Sequence, residues 1–152
     1  MQQEPPPIVQ QFYKMFKRYI PGLPPLERFE HVERARIMPT KCYSVAMHKV
    51  LHGDALYYVE GMVLLAGGVP VFHAWYVDAQ GVARDDCIDN AQEYWGVRVP
   101  AAEFKQRLLA APGLLGPRTE FPYHFALQEA AATRSAPEKL RGGGSFFGLK
   151  TI

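Results

Sequence analysis

Three residues able to perform nucleophilic acyl transfer together occur in the order Cys42, His73 and Asp85. A thiol attacks a carbonyl carbon only as a thiolate or when a base removes its proton, and histidine is the usual base near neutral pH. A carboxylate bonded to the second imidazole nitrogen fixes the tautomer and stabilises the imidazolium. The three residues therefore suggest a Cys-His-Asp triad.

The segment around Cys42 predicts a helix start. Thr40 can cap a helix that runs over residues 41–51 and ends at Gly53. Cys42 then falls in the first turn, where the partial positive charge of the helix N-terminus favours a thiolate. We therefore expect the pKa of Cys42 to lie below the usual ~8.5 of a cysteine thiol.

The stretch from Ala55 to Cys87 has the character of three adjacent antiparallel strands. Its segments ALYYVEGMVLLAG, VPVFHAWYVD and VARDDC are rich in aromatic and β-branched residues, and glycine turns separate them. His73 lies in the second strand, and the turn at residues 78–81 folds the third strand back towards it. One residue of slip reverses which aspartate faces inward. We favour Asp85 as the partner of His73, with Asp86 as the alternative.

The remaining segments predict helices and two irregular ends. Apolar residues at helical spacing indicate a helix from Ile8 to about Ile20. Further helices are expected over residues 26–38, 100–111 and 123–133. Residues 1–7 are rich in proline and predicted to be extended, and residues 135–152 form a predicted flexible, glycine-rich tail. The fold class is α+β: one domain over residues 1–152, with N-terminal helices packed on a small antiparallel sheet.

Composition narrows the function classes. The chain has 152 residues, 48% of them hydrophobic, which suits one compact domain. A formal charge of +2 without long basic runs argues against nucleic-acid binding, and no stretch suits a membrane helix. The start of the chain has no secretory pattern, so a cytoplasmic location is expected, with delivery as an effector left open. We expect no cofactor and no metal site, and Cys42 and Cys87 to stay reduced.

The order and context of these motifs resemble transglutaminase-like and papain-like cysteine enzymes. The matching segments, within residues 40–100, are KCYSVA at 41–46, YYVEG at 57–61, HAW at 73–75, GVARDD at 81–86 and YWGV at 94–97. More particularly, the chain is similar to small bacterial and phage proteins with a cysteine, Tyr-Val-Glu-Gly, His-Ala-Trp, Asp-Pro-Thr and Tyr-Phe-Gly-Val. The resemblance implies a papain-like or transglutaminase-like core.

The chemistry expected from the triad and this resemblance is acyl transfer on a protein or peptide substrate, as a peptidase, an amidase or deamidase, or a transglutaminase-like enzyme. Cys42 is the nucleophile, and its backbone N–H is one donor of the oxyanion hole. Gln10, Gln11 and Tyr43 are candidates for the second donor. Four more residues are candidates for the substrate cleft, although Trp75 also suits packing of the sheet: Glu60, Tyr58, Trp75 and Asp86.

A second hypothesis is a catalytically inactive binding or effector module on the same fold. It is motivated by two departures from the motif pattern: Asp85-Asp86-Cys87 replaces Asp-Pro-Thr, and Val45 replaces a polar residue. Such a module would present its aromatic residues to a protein partner. Those residues are Tyr57, Tyr58, Trp75, Tyr94 and Trp95.

Overall fold

A computed structural model describes residues 4–19, 22–39, 41–110 and 150–151 and confirms the α+β class. The helices are α1 (Pro7–Tyr19), α2 (Cys42–Leu51) and α3 (Ala101–Ala110). The strands are β1 (Glu27–Arg28), β2 (Val32–Arg34), β3 (Tyr57–Leu65), β4 (Pro70–Val77), β5 (Ala83–Asp85), β6 (Ala91–Pro100) and β7 (Lys150–Thr151), and a 3₁₀ turn, Ala66–Gly68, joins β3 to β4.

The strands form one mixed sheet in the order β1-β6-β3-β4-β5-β2, and β7 also pairs with β4. Strand β3 is central and runs antiparallel to both β4 and β6. The expected antiparallel pairing of β3, β4 and β5 is confirmed. The sheet is not purely antiparallel, however, because β2 pairs with β5 and β7 with β4 in the parallel sense.

The helices cover one face of this sheet. Alternate residues of β4 on that face are Phe72, Ala74 and Tyr76. Phe72 packs with Val9, Phe12 and Met15 of α1, whereas Ala74 and Tyr76 lie in a cluster with α2 and α3. The opposite face of β4 carries Val71, His73, Trp75 and Val77, and its apolar residues pack with Phe29 and Tyr94. His73 thus sits on the face turned away from the helices.

The hairpin between β4 and β5 has the turn that the sequence predicts. Asp78 Oδ1 accepts hydrogen bonds from the backbone N–H groups of Gln80 and Val82, each at 2.9 Å. Gly81 has a φ of 84°, which favours glycine, and its N–H donates to the Asp78 carbonyl. These local contacts set the register that pairs Tyr76 with Arg84.

The predicted helix over residues 26–38 is wrong, because this segment forms β1 and β2. Its backbone finds strand partners: β1 pairs with β6 and β2 with β5. Strand β6 was not anticipated, although AQEYWGVRVP contains aromatic and β-branched residues typical of a strand. The helix expected over 100–111 is present as α3, whereas the helix expected over 123–133 and most of the tail at 135–152 lie outside the described residues.

The outer edge of β4 is only partly paired. Residues 71–72 pair with β7 and residues 76–77 with β5. Within the described chain, residues 73–75 have no partner strand on this edge. Among the described residues, no helix is long and apolar enough to cross a membrane.

Two glycines allow β3 and β6 to approach closely beside His73. Gly61 pairs with His73 on one side and with Gly96 on the other. A Cβ at Gly61 would lie 2.0 Å from the Trp95 carbonyl oxygen, and a Cβ at Gly96 would lie 2.8 Å from the Trp75 ring. Neither position tolerates a side chain without movement of the sheet or the indole.

We predict that Gly61→Ala lowers the free energy of unfolding by about 3 kcal/mol, because the added methyl group forces backbone atoms apart. Urea unfolding followed by circular dichroism measures the change. Gln92→Ala, an exposed change on β6, is the control and should shift stability by less than about 0.5 kcal/mol. Equal stability of the two variants would contradict the close packing of β3 against β6.

Candidate active site

Asp85 is the partner of His73, as the sequence favours. Its Oδ2 accepts hydrogen bonds from His73 Nε2 at 2.8 Å and from the Tyr94 hydroxyl at 2.7 Å. Its Oδ1 accepts from the backbone N–H groups of Cys87 at 2.9 Å and Ile88 at 3.3 Å. Burial alone would raise the pKa of Asp85, but these hydrogen bonds, first among them the one from His73, outweigh it and lower the pKa. Asp85 is therefore an ionised acceptor.

This arrangement assigns the tautomer of His73. Because an ionised carboxylate only accepts, His73 Nε2 carries the hydrogen that points to Asp85. In the neutral imidazole, Nδ1 then holds a lone pair. Nδ1 is buried and has no hydrogen-bond partner among the described residues. His73 is thus oriented as a base whose free nitrogen is Nδ1.

Aromatic rings enclose the imidazole on its face of the sheet. The His73 ring is stacked 6.1 Å from Trp75 and lies 6.5 Å from Tyr94. Phe29, from the loop between β1 and β2, contacts Trp75 edge-on. These rings exclude water from the His73–Asp85 pair, which strengthens the hydrogen bond between them.

The parallel pairing of β2 with β5 delivers Cys42 to this region. The chain that leaves β2 stays beside β5: the Ala35 N–H donates to the Asp85 carbonyl and the Ile37 N–H to the Asp86 carbonyl, each at 2.9 Å. It then enters α2, whose first residue is Cys42. The thiol lies against the open edge of β4, hydrogen-bonded to the backbone of Ala74.

The structure therefore brings Cys42, His73 and Asp85 into one region, with exposed fractions of 1%, 0% and 1%. The thiol contacts the amide of the residue that follows His73, and the charge of Asp85 influences its ionisation. Cys42 and His73 Nδ1 do not form a hydrogen bond in this conformation. The three groups are neighbours in a closed, water-poor site.

The expectation of a lowered thiol pKa is wrong for this conformation. The pKa of Cys42 is raised to about 12, mainly by burial and in smaller part by the nearby Cys87 and Asp85. Backbone hydrogen bonds with Ala74 and Tyr43 oppose this effect only in part. The desolvation of the sulfur outweighs the helix N-terminus, so Cys42 rests as a neutral thiol.

The four residues predicted for the substrate cleft lie in different environments. Tyr58 and Trp75 belong to the core, and Glu60 is 2% exposed beneath the helices. Asp86 is half-buried and accepts a hydrogen bond from the Tyr76 hydroxyl at 2.7 Å. A substrate would reach Glu60 or Tyr58 only after movement of the side chains above them.

The candidates for a second oxyanion donor are also separated by the structure. Gln10 is half-buried and donates from its side chain to the Pro5 carbonyl at 2.6 Å, whereas Gln11 is exposed on α1. Tyr43 is buried directly after Cys42 in α2. Lys41, the N-cap residue, makes no side-chain capping hydrogen bond at this helix start. Of the three candidates, Tyr43 is adjacent to the thiol.

Four of the five aromatic residues that a binding module would present are buried in the structure. Tyr58, Trp75, Tyr94 and Trp95 are buried in the core, and Tyr57 is half-buried. These rings fill the two faces of the sheet, because the central strands β3, β4 and β6 are covered on both sides. The four buried rings are not available as a docking surface in this conformation.

Sequence reasoning gave Tyr94 no role at this site, although YWGV was part of the resemblance. Its hydroxyl shares Asp85 Oδ2 with His73 and stabilises the same carboxylate. The signal that could have found it is strand alternation, which places Tyr94 on the same face of the sheet as His73.

Among the described residues, no group of three or more His, Cys, Asp or Glu side chains is arranged to hold a metal ion.

No family model, curated protein or solved structure matches the chain. The geometry of Cys42, His73 and Asp85 is therefore the basis for assigning a chemistry.

We predict that Asp85→Asn destabilises the protein by about 3 kcal/mol, because asparagine has one acceptor oxygen where aspartate has two, so two of the four donors lose their acceptor. The amide NH₂ would then face either the two backbone N–H groups or His73 and Tyr94. Asp86→Asn is the matched control and should cost less than about 1 kcal/mol, since its amide oxygen can still accept from Tyr76. Urea unfolding compares them, and equal losses would contradict the four-donor arrangement around Asp85.

We also predict that alkylation of Cys42 is slow at neutral pH in a Cys87→Ser background. With the pKa raised to about 12, the thiolate fraction grows about tenfold per pH unit well beyond pH 8.5, where an ordinary thiol levels off. Iodoacetamide labelling followed by mass spectrometry measures the rate. The same chain in urea supplies the control curve, which should level off near pH 8.5. A folded protein that reaches its plateau near pH 7 would refute the buried neutral thiol.

Proposed function

We propose that the protein is a cysteine-dependent acyl-transfer enzyme that acts on a protein or peptide substrate. Cys42 is the nucleophile, His73 the general base and acid, and Asp85 the residue that orients His73. One observation carries the proposal: Asp85 fixes Nε2 of a fully buried histidine and leaves Nδ1 without a partner. A buried nitrogen without a hydrogen bond is costly in a merely structural histidine, and such costs are typical of functional sites.

The reaction starts from a neutral thiol. As the Cys42 side chain turns from the Ala74 amide towards His73, Nδ1 takes the thiol proton and Sγ attacks the substrate carbonyl carbon. The carbonyl π electrons move to oxygen, and backbone N–H groups at the start of α2 donate to that oxyanion. Asp85 stabilises the imidazolium formed at this point.

Collapse of the tetrahedral intermediate breaks the bond to the leaving group. The leaving amine or alkoxide takes the proton from His73 Nδ1, and the acyl group stays on Cys42 as a thioester. Water or a substrate amine then attacks the thioester, giving its proton to His73, and the thiol returns as the acyl group departs. Water gives hydrolysis or deamidation, whereas an amine gives crosslinking.

The closed site requires that a substrate open it. Cys42 and His73 are buried, and Gln10 and Tyr13 of α1 are anchored by hydrogen bonds to Pro5 and Pro24. Binding energy from the rest of the substrate would supply this opening, which also brings the thiol towards Nδ1. Because the nucleophile must stay a reduced thiol, the reducing cytoplasm is the proposed setting.

We predict a burst of p-nitrophenolate, close to one per chain, when the protein reacts with p-nitrophenyl acetate. The burst should vanish in Cys42→Ala and slow about 100-fold or more in His73→Gln, which lacks a base. Stopped-flow absorbance gives the rate, and mass spectrometry locates the acetyl group. Circular dichroism melting curves establish that each variant is folded.

Asp86→Asn and Cys87→Ser serve as controls, since neither residue has a role in the proposed steps. Both should keep the burst. Acetylation that persists in Cys42→Ala, or that proceeds equally fast in folded His73→Gln, would refute the proposed function.

A further inference from the structure

Glu60 is a buried carboxylate that the proposed chemistry does not use. It lies on β3 directly opposite Ala74 of β4, on the face covered by the helices. Cys42 bonds to the backbone of that same alanine from the other side. Neighbouring strands are ~4.8 Å apart, so Ala74 alone lies between the Cys42 thiol and Glu60. A substrate held at Cys42 would have Glu60 next to it.

A cavity of about 20 Å³ lies at Glu60. Its walls are mostly apolar, formed by Phe16, Leu23, Phe72 and Val97 together with rings of tyrosine. This volume suits about one water-sized group. A water-sized space with apolar walls and one carboxyl group has room for the polar tip of an alkyl chain.

Two buried tyrosines lie near Glu60, and one of them, Tyr43, lines the cavity. Tyr43, which follows Cys42 in α2, and Tyr58, two residues before Glu60 on β3, are both buried. Burial raises the pKa of each hydroxyl, and the negative charge of Glu60 is the next cause for both. The hydroxyls therefore remain neutral beside the carboxylate. Glu60 is the acidic side chain among the residues that line the cavity.

An open groove of about 460 Å³ lies between α1 and the segment before β1. Tyr13 and Leu23 line both this groove and the inner cavity, so they form the wall between the two. The Tyr13 hydroxyl donates to the Pro24 carbonyl at 2.6 Å and closes the wall. Movement of Tyr13 would join the outer groove to Glu60.

We propose that the Glu60 cavity is a specificity pocket that binds an alkylammonium side chain of the substrate, as in lysine, next to the acyl group attacked by Cys42. The proposal rests on the proposed acyl-transfer function and adds a substrate class to it. An ammonium group is about the size of a water molecule, whereas the planar guanidinium of arginine is larger than the cavity allows. The cavity holds the ammonium tip alone, with the methylene stem outside it along the apolar side chains, and Glu60 accepts charge-assisted hydrogen bonds from the tip.

The test compares two esters that differ only at the end of the side chain: the p-nitrophenyl esters of Nα-acetyl-lysine and Nα-acetyl-norleucine. Norleucine keeps the alkyl stem and lacks the ammonium group. We expect Cys42 to be acylated at least about tenfold faster by the lysine ester, which corresponds to one charge-assisted hydrogen bond. In Glu60→Gln the ratio of the two acylation rates should fall to about one.

Glu93→Gln is the matched control, because Glu93 is a half-buried carboxylate on a neighbouring strand that accepts from Trp95 Nε1 at 3.0 Å. It should keep the preference for the lysine ester. If Glu60→Gln does not fold, the acylation rates of the unaltered protein with the two esters still test whether an ammonium group is preferred. Equal burst rates from both esters, dependent on Cys42, would overturn the pocket and leave the proposed function standing. The absence of any Cys42-dependent burst from these esters and from p-nitrophenyl acetate would overturn both.

Discussion

The Asp85 carboxylate is the constraint on which the rest of the site depends. It accepts from a histidine, a tyrosine and two backbone N–H groups, and these donors belong to β4, β6 and the segment after β5. These four donors stabilise the negative charge of the buried carboxylate, and none of them belongs to a lysine or arginine side chain. Moving any of these segments would leave a buried donor or the carboxylate unsatisfied, which costs far more than an exposed hydrogen bond. The orientation of His73 is a consequence of this arrangement.

Burial has opposite effects on the two ends of the proposed triad. At Asp85, desolvation is outweighed by specific hydrogen bonds, so the pKa falls and the charge remains. At Cys42, only backbone contacts with Ala74 and Tyr43 favour the thiolate, and desolvation prevails. A negative charge at Asp85 also disfavours a second negative charge at the nearby thiol. The closed state thus combines a neutral thiol at Cys42 with an oriented His73. In the proposed reaction the thiol proton is therefore transferred at the moment of attack, without a preformed ion pair.

Local features of the sequence were enough to predict the hairpin and its aspartate. Asp78 bonds to the backbone two and four residues later, and Gly81 takes a positive φ, so the register of Asp85 follows from neighbouring residues. Strands β1 and β2 were not predictable in this way, because their partners are distant in the chain and the residues are mostly charged. The pKa of Cys42 was misjudged for a related reason: the helix start is local, whereas burial of the sulfur depends on the whole sheet.

The open edge of β4 explains why these distant segments meet. If β4 were paired along both edges, the backbone of Ala74 would already be hydrogen-bonded to another strand. The start of α2 could then not approach the sheet there. Because β7 and β5 leave residues 73–75 uncovered within the described chain, the thiol takes the position of a strand partner. His73 lies on one face of this short stretch and Glu60, beside Ala74, on the other. One gap in the pairing of a strand therefore places the proposed nucleophile, Cys42, between the proposed base, His73, and the Glu60 carboxyl group, which lie on opposite faces of the same sheet.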